Sequence, residues 1–332
     1  MTAAPNALGL STQETLSVLE TAALAPSVHN SQPWRFRLLP DRIELHADPT
    51  RALPATDPES RELRLSCGAA LFNLRLALQG LGIRPLVTLL PGAAAPGALA
   101  TIRRGGRAGL TEEARALLQA VPVRHTNRHP FLDTPVPAAH GQAMVRAAEL
   151  ERSWLHVVSD RTERARLQDY VQRAHRLQKI DPAVRAELAA WTGSRSAAGL
   201  GVPAESAGPR PEPQDEWALR DFSPTELVER KPGKDYEPDP FVVVLCSFYG
   251  GQLAELQSGQ AMQRVLLVAT TLGLSASFMS QPIEVGTVRE ELRRTLGGSL
   301  EPQTLLRVGF GSTVPATPRR PVSDLLIDPL LI

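Results

Sequence analysis

The chain has 332 residues, 42% hydrophobic and 21% charged, and its 36 Lys and Arg against 35 Asp and Glu leave a net charge of +1. That balance carries no electrostatic footprint for nucleic acid or a membrane surface, and no run approaches the roughly 18 apolar residues of a membrane-spanning helix. The length suits one large domain or two of about 150 residues.

The N-terminal MTAAPNALGLSTQETL has neither a basic n-region nor an apolar h-region, so no export signal is expected and the cytoplasm is the expected compartment. Cys67 and Cys246 each lie inside an apolar stretch and are expected as buried free thiols.

In chain order, Thr12 to Ala25 carries Leu16, Leu19 and Ala23 at helical spacing, with Ser11 or Thr12 as cap and Glu14 in the first turn. "APSVHNSQPWRF" (Ala25–Phe36) follows. It sets Ser27, His29, Asn30, Ser31 and Gln32 between Pro26 and Pro33, just ahead of Trp34. This reads as a shaped polar loop entering a strand, either a decorated turn or a platform of hydrogen-bonding groups. Trp34–Leu39 and Ile43–His46 read as a strand pair across Pro40-Asp41-Arg42. A helix from about Glu59 to Leu81, a strand near Leu86–Leu90, a breaker-rich loop at Pro91–Gly97 and a helix at Leu110–Ala120 come next.

Farther on, helix Pro137–Leu150 precedes strand Trp154–Val158 and a helix from about Thr162 to Gln178. Thr192 to Pro240 is rich in Pro, Gly and charge and too long for an ordinary connector, which predicts a lid, an insertion or a linker. Phe241–Phe248 reads as a buried strand, and helix–strand alternation resumes to Gly311, so helices and strands are mixed throughout.

"CGAALFNLRLALQGLGI" (Cys67–Ile83) aligns without gaps on "SGQAMQRVLLVATTLGL" (Ser258–Leu274). Gly68 falls on Gly259, Ala70 on Ala261, Leu76 on Leu267 and Leu81-Gly82 on Leu272-Gly273. Shared composition is one explanation. The agreement in phase favours two buried helices, one per half of a pseudo-symmetric core.

"VPVRHTNRHPF" (Val121–Phe131) holds the candidate chemistry. In an extended segment, which Pro122 and Pro130 encourage, Arg124, Thr126 and Arg128 share one side. Two guanidiniums and a hydroxyl there would cradle a phosphate, each charge-assisted bond being worth about 1.5–3 kcal/mol, unless the arginines form a solvated edge. His125 and His129 lack the Cys or carboxylate companions of a metal site. "TPRRP" adds Arg319 and Arg320 after the glycine-rich "VGFGS", and "LSASFMSQPIE" reads as a short strand opening into a loop at Met279, Ser280 and Gln281. No Rossmann fingerprint, P-loop or G-x-S-x-G elbow occurs.

Taken together these segments resemble the nitroreductase superfamily of FMN flavoproteins, and above all its long, fused Acg-like branch. "APSVHNSQPWRF" is similar to the A-P-S-x-x-N-x-Q-P-W-x-F segment, "RHTNR" to the R-x-S-x-R/K phosphate motif with Thr126 in the Ser position, "GLSASFMSQ" to the Gly-Leu strand beside the flavin, and "PRRP" to the C-terminal basic residues.

The resemblance implies an α+β nitroreductase-like fold of two tandem pseudo-symmetric halves, 1–120 and 121–332, each with a central mixed or antiparallel sheet flanked by helices. It implies one FMN per chain, with NAD(P)H as electron donor. Arg124, Thr126, Arg128 and one or both of Arg319 and Arg320 would hold the phosphate. Ser27, Val28, His29 and Asn30 would reach the ribityl chain and ring edge, and Met279, Ser280 and Gln281 would lie along the ring.

No protein nucleophile is required, because the flavin carries the redox chemistry. The implied function is reduction of nitroaromatic, quinone-like or other small molecules, by a monomer with an internal pseudo-dimer or by a homodimer. If the 192–240 segment covers the flavin, storage of FMN is the alternative. A small-molecule binder without flavin is a third reading.

Overall fold

Ser11 caps the first helix, α1 (Thr12–Ala23), and its backbone N–H and hydroxyl in turn reach Glu14, a reciprocal box that fixes the helix start. The structure, a computed structural model, describes residues 7–192, 200–217, 220–222 and 235–327. The rest of the first half is β1 (Trp34–Leu39), β2 (Arg42–Ala47), α2 (Arg61–Gly80), β3 (Ile83–Leu89), β4 (Ala98–Arg107) and α3 (Glu112–Ala120). The second half begins with α4 (Ala138–Leu150), β5 (Trp154–Val157), α5 (Arg161–Ile180) and α6 (Pro182–Ala190). It continues through β6 (Phe241–Ser247), α7 (Gln252–Thr271), β7 (Ser275–Phe278), the single turn α8 (Gln281–Glu284), α9 (Gly286–Thr295), β8 (Glu301–Gly309) and the turn α10 (Val322–Leu325).

The strands form two four-stranded sheets in the orders β1-β2-β4-β3 and β5-β6-β8-β7, with every pair antiparallel. The fold is therefore α+β, and its two sheets have the same strand order. They share an irregularity as well: the register slips between Leu45 and His46 on β2 and between Leu245 and Cys246 on β6, the second strand of each sheet.

Among the elements unread in the sequence are β4, α6 and the turn α10. β4 ends in Arg103, Arg104, Gly105, Gly106 and Arg107, whose polarity hides a strand exposed over that stretch, and α6 is a short helix with little apolar periodicity.

α2 and α7 occupy the centre and are buried along most of their length, as all-round apolar helices must be. They cross where Gly68 meets Gly259, the two residues paired by the internal alignment. A Cβ on Gly259 would lie 2.1 Å from the Leu65 carbonyl oxygen, and one on Gly68 would lie 2.3 Å from that of Leu256. The halves therefore join by backbone-to-backbone contact. Beside the crossing, Arg64, just ahead of the first aligned segment, pairs with Glu255, just ahead of the second, and Gln263 donates to Asn73 at 2.7 Å. Cys67 and Cys246 are buried free thiols, and burial pushes the Cys246 thiol up to about 12.

After β8 the chain crosses back to the first half. Ile327 N–H donates to the Phe36 carbonyl at 2.9 Å and Arg35 to the Leu326 carbonyl at 2.9 Å, adding the C-terminal segment to the edge of β1. This return sets Arg319 and Arg320 against the Ala25–Gln32 loop. No helix among the described residues is long and apolar enough to cross a membrane.

Candidate functional site

The loop after α1 is held in an unusual shape. His29, Asn30 and Gln32 have φ of 51°, 55° and 51°, the left-handed region that Asn and His visit more readily than Gln and that all three visit seldom. Such backbone strain persists only where neighbours over-determine it. Here Ser27 Oγ accepts from Gln32 N–H at 2.9 Å, Arg51 donates to the Ser31 carbonyl at 3.0 Å, and the Asn30 side chain donates to the Pro318 and Gly201 carbonyls at 2.9 and 3.1 Å. Trp34, fully buried, anchors the exit into β1.

Arg320 completes the clamp. Its backbone N–H donates to Gln32 Oε1 at 2.9 Å, and its guanidinium reaches the Gln32 carbonyl, Asp48 at 3.3 Å and the Asp324 carbonyl. Its charge is thus met by Asp48 and its fork occupied by the protein.

The loop forms one wall of a cleft between the halves, with Pro26 to His29 on that wall. Glu62, Leu65 and Ser66 of α2 and Met262 of α7 form its central wall. Thr126, Arg128, Phe278, Ser280, Gln281 and Thr304 close it from the second half. Met279 lies apart from the lining: its side chain is buried with Val242, Val244, Ile283 and Leu305, and its N–H donates to the Leu305 carbonyl at 2.9 Å.

The Val121–Phe131 segment departs from the extended form read in the sequence. Val123 and Arg124 N–H both donate to the Ala120 carbonyl, so the turn ending α3 carries on through Arg124, and only Thr126 makes a strand-like bridge, to Ala276. Prolines at 122 and 130 supply no N–H for a ladder. Asn127 fixes the segment instead, donating from its backbone to the Ala276 carbonyl at 3.0 Å and from its side chain to the Ser312 carbonyl at 2.9 Å.

Arg124 and Arg128 consequently part. Arg124 turns to the Leu24 carbonyl at 3.3 Å, where Arg319 arrives at the same distance. Arg319 also donates to Asn30 Oδ1 and to Thr317 Oγ1. Neither guanidinium has an ion-pair partner among the described residues. Burial, with Arg319 beside it, pushes Arg124 down to about 9, and burial alone pushes Arg319 down to about 10. Arg128 donates to the Ser206 carbonyl at 2.9 Å and stacks over Phe222 at 4.6 Å. Burial and the nearby Arg220 push it down to about 10.

Sequence reasoning missed the groups that come from the 192–240 segment and from α2. Arg220 and Phe222 line the cleft, and Phe222 meets the His29 ring edge-on at 6.0 Å. Arg220 forks onto Glu284, and Gln178 joins the pair, accepting from Arg220 at 2.9 Å and donating to Glu284 at 2.6 Å. Near its exit, Tyr236 donates to the Arg128 carbonyl at 2.7 Å, and Glu237 pairs with the buried Arg307, which also donates to the His129 carbonyl. The described parts of this segment therefore cover the cleft. Residues 193–199, 218–219 and 223–234 of the predicted lid lie outside the described residues.

Three buried side-chain atoms on the cleft lining have no hydrogen-bond partner among the described residues: His29 Nε2, Glu62 Oε2 and Gln281 Nε2. Burial, with Arg220 and Arg128 nearby, holds His29 well below the usual histidine range and so neutral. An inter-half cleft with unpaired polar atoms, and with Arg128 and Arg220 on its lining, suits a polar organic molecule.

Comparison with known proteins places this architecture. The chain is 33% identical over 316 residues to "Putative NAD(P)H nitroreductase Rv3131" of Mycobacterium tuberculosis, covering 93% of this chain and 90% of the relative. It is 31% identical over 314 residues to "Putative NAD(P)H nitroreductase acg" of the same organism, covering 93% and 94%. The chain belongs to the nitroreductase superfamily, in its Acg-like branch. Among solved structures, a nitroreductase with bound FMN from Desulfitobacterium hafniense matches with a TM-score of 0.38 and 15% identity, over 63% of this chain and 95% of that one. No protein-family model matches the chain.

Proposed function

We propose that the protein binds one FMN in the inter-half cleft and serves as an NAD(P)H-linked oxidoreductase for nitroaromatic, quinone-like or other small molecules. The observation that carries this reading is the pair Arg124, buried, and Arg319, half-buried, which meet at the Leu24 carbonyl with no anionic partner among the described residues. Buried like charges are costly unless an anion joins them, and a phosphate accepts several guanidinium bonds at once.

The cleft fits the rest of the cofactor. The unpaired His29 Nε2 and Gln281 Nε2 suit the polar edge of a flavin, while Leu65, Met262 and Phe278 suit its apolar faces. Arg124 and Arg319 would hold the phosphate, and Thr126 and Arg128 line the cleft that would take the rest of the cofactor. The Ser27–Asn30 loop would hold the ribityl chain, and Ser280 and Gln281 would lie along the ring, Met279 contributing only through the backbone it anchors. Arg320 locks the loop by its bonds to Gln32 and Asp48. FMN, once bound, would supply hydride transfer; the chain's part is to neutralise the phosphate, orient the ring and exclude water.

Purified protein is expected to be yellow, with about one FMN per chain, and to bleach anaerobically with NADH or NADPH. Colourless protein that FMN cannot reconstitute would sink the reading.

A second reading, storage of FMN, draws on the cover. Arg220 is latched to Glu284 while Phe222 lies between Arg128 and His29, so the cover meets the cleft with side chains rather than bridging over it. Arg220→Ala removes one partner of a buried pair, a loss of about 3–5 kcal/mol in the closed state, enough to raise the rate of flavin reduction by about tenfold or more. An unchanged rate at full flavin content would show that the cover does not control access. Absence of bleaching in both proteins would favour storage.

A further inference from the structure

Three carboxylates cluster where α2 begins beside the cleft, and they are not alike. Asp57 accepts from the N–H groups of Arg61 and Leu63 at 2.8 and 2.9 Å. Glu284 is gripped by Arg220 and Gln178. Glu62 lines the cleft, is buried, and leaves Oε2 with no partner among the described residues.

We propose that Glu62 is an acid that keeps its proton at neutral pH and donates it from Oε2 in a hydrogen bond to an acceptor atom of the cleft's ligand. The inference rests on the FMN reading for the identity of that acceptor, a ring carbonyl or ring nitrogen of the flavin.

The surroundings of Glu62 disfavour its ionised form. Asp57 precedes it and Glu284 faces it from α8, each with hydrogen-bond donors of its own. Of the nearby cations, Arg220 from the cover is spent on Glu284, and Arg61 on its own helix turns to the Pro302 carbonyl and Gln303 at 3.4 Å. Glu187 of α6, bonded to the Ala55 and Thr56 N–H groups, adds negative potential near Arg220. On the cleft lining His29 is neutral and Arg128 is occupied by Phe222 and the Ser206 carbonyl. Burial, then Glu284 and Asp57, holds the Glu62 carboxyl well above the usual carboxylate range. An ionised Glu62 would also turn a lone pair toward the acceptor atoms of an oxidised flavin, whereas the neutral acid supplies the donor they need. Ligand binding and the Glu62 proton are therefore linked.

The sign follows from that linkage. FMN binds the protonated form, so affinity holds while Glu62 is neutral and falls by up to about tenfold per pH unit once pH exceeds its pKa. In Glu62→Gln, an isosteric donor that cannot ionise, this component is expected to vanish, leaving only the falls contributed by other groups, Arg124 and FMN itself among them.

The experiment is a fluorescence titration of FMN against both proteins from neutral to alkaline pH. Infrared spectra of the flavin-free proteins accompany it, and the C=O stretch of a protonated carboxylic acid is expected in the wild type at neutral pH and missing in Glu62→Gln. Parallel pH dependences in the two proteins, or no such band in the wild type, would overturn the proposal. Failure of both proteins to bind FMN at any pH, with the band present, would overturn the flavin reading and leave Glu62 identified as a protonated acid.

Discussion

Gly259→Ala is expected to destabilise the protein by about 3 kcal/mol or more and to lower its Tm by on the order of 5 °C. The added methyl would sit 2.1 Å from the Leu65 carbonyl oxygen and 2.8 Å from Gly68 Cα, both main-chain atoms of the facing helix. Overpacking is tolerated where a flexible side chain can turn away, and here none is available. The two central helices would have to separate, and many contacts of α2 and α7 would loosen together.

Gly68→Ala should do the same, and the double variant should cost less than the sum, because one separation of the helices accommodates both methyls. Gly106→Ala, at an exposed glycine with nothing within 4 Å of its Cβ, is the control and should change stability by no more than about 0.5 kcal/mol. Thermal unfolding of the four proteins decides the matter: equal midpoints for Gly259→Ala and Gly106→Ala would show that the helices do not meet as closely as described. Because α2 also carries Glu62, Leu65 and Ser66 into the cleft, Gly259→Ala should reduce flavin content as well as stability.

That crossing was legible in the sequence as an alignment of two apolar segments sharing Gly68 and Gly259 in phase. Most helices and strands were legible too, because amphipathic or continuous apolar patterns record burial directly. β4 was not, since its latter part faces solvent and carries three arginines and two glycines. For the site, the polar loop at Ser27–Gln32 announced itself by composition, yet its shape did not: a left-handed His29 or Gln32 is imposed from outside, by Arg320, Arg51 and Pro318.

The same limit explains the arginines. Arg124 and Arg128 lie four residues apart and look like one cradle on a strand, but the helical turn that runs on from α3 sends Arg124 to Leu24 and leaves Arg128 with Phe222. Glu62 reads in sequence as an ordinary first-turn acid at a helix N-terminus. What isolates it is the pairing of Asp57 and Glu284 with other groups, and no local pattern encodes that.

Arg124→Met is expected to weaken FMN binding about 10- to 100-fold, the loss of one charge-assisted bond worth about 1.5–3 kcal/mol, while the flavin-free protein becomes no less stable and gains in Tm. The two effects have one cause. Without an anion Arg124 and Arg319 are a like-charge pair, and replacing one guanidinium by an apolar chain of similar length removes both its desolvation cost and the repulsion. With an anion the same guanidinium is the binding group. A residue whose removal stabilises the empty protein and empties the loaded one is there for a ligand.

Arg107→Ala, at the exposed end of β4, serves as the control and should leave both properties unchanged. Alkaline pH offers an independent check. Arg124 carries its charge below about pH 9 and loses it above, so FMN affinity in the wild type should fall as pH rises past that point, and Arg124→Met should lack this component. Equal FMN affinity in Arg124→Met and Arg107→Ala would remove Arg124 from the phosphate site. A matching loss of stability in Arg124→Met would reassign it as a structural residue held by the Leu24 carbonyl.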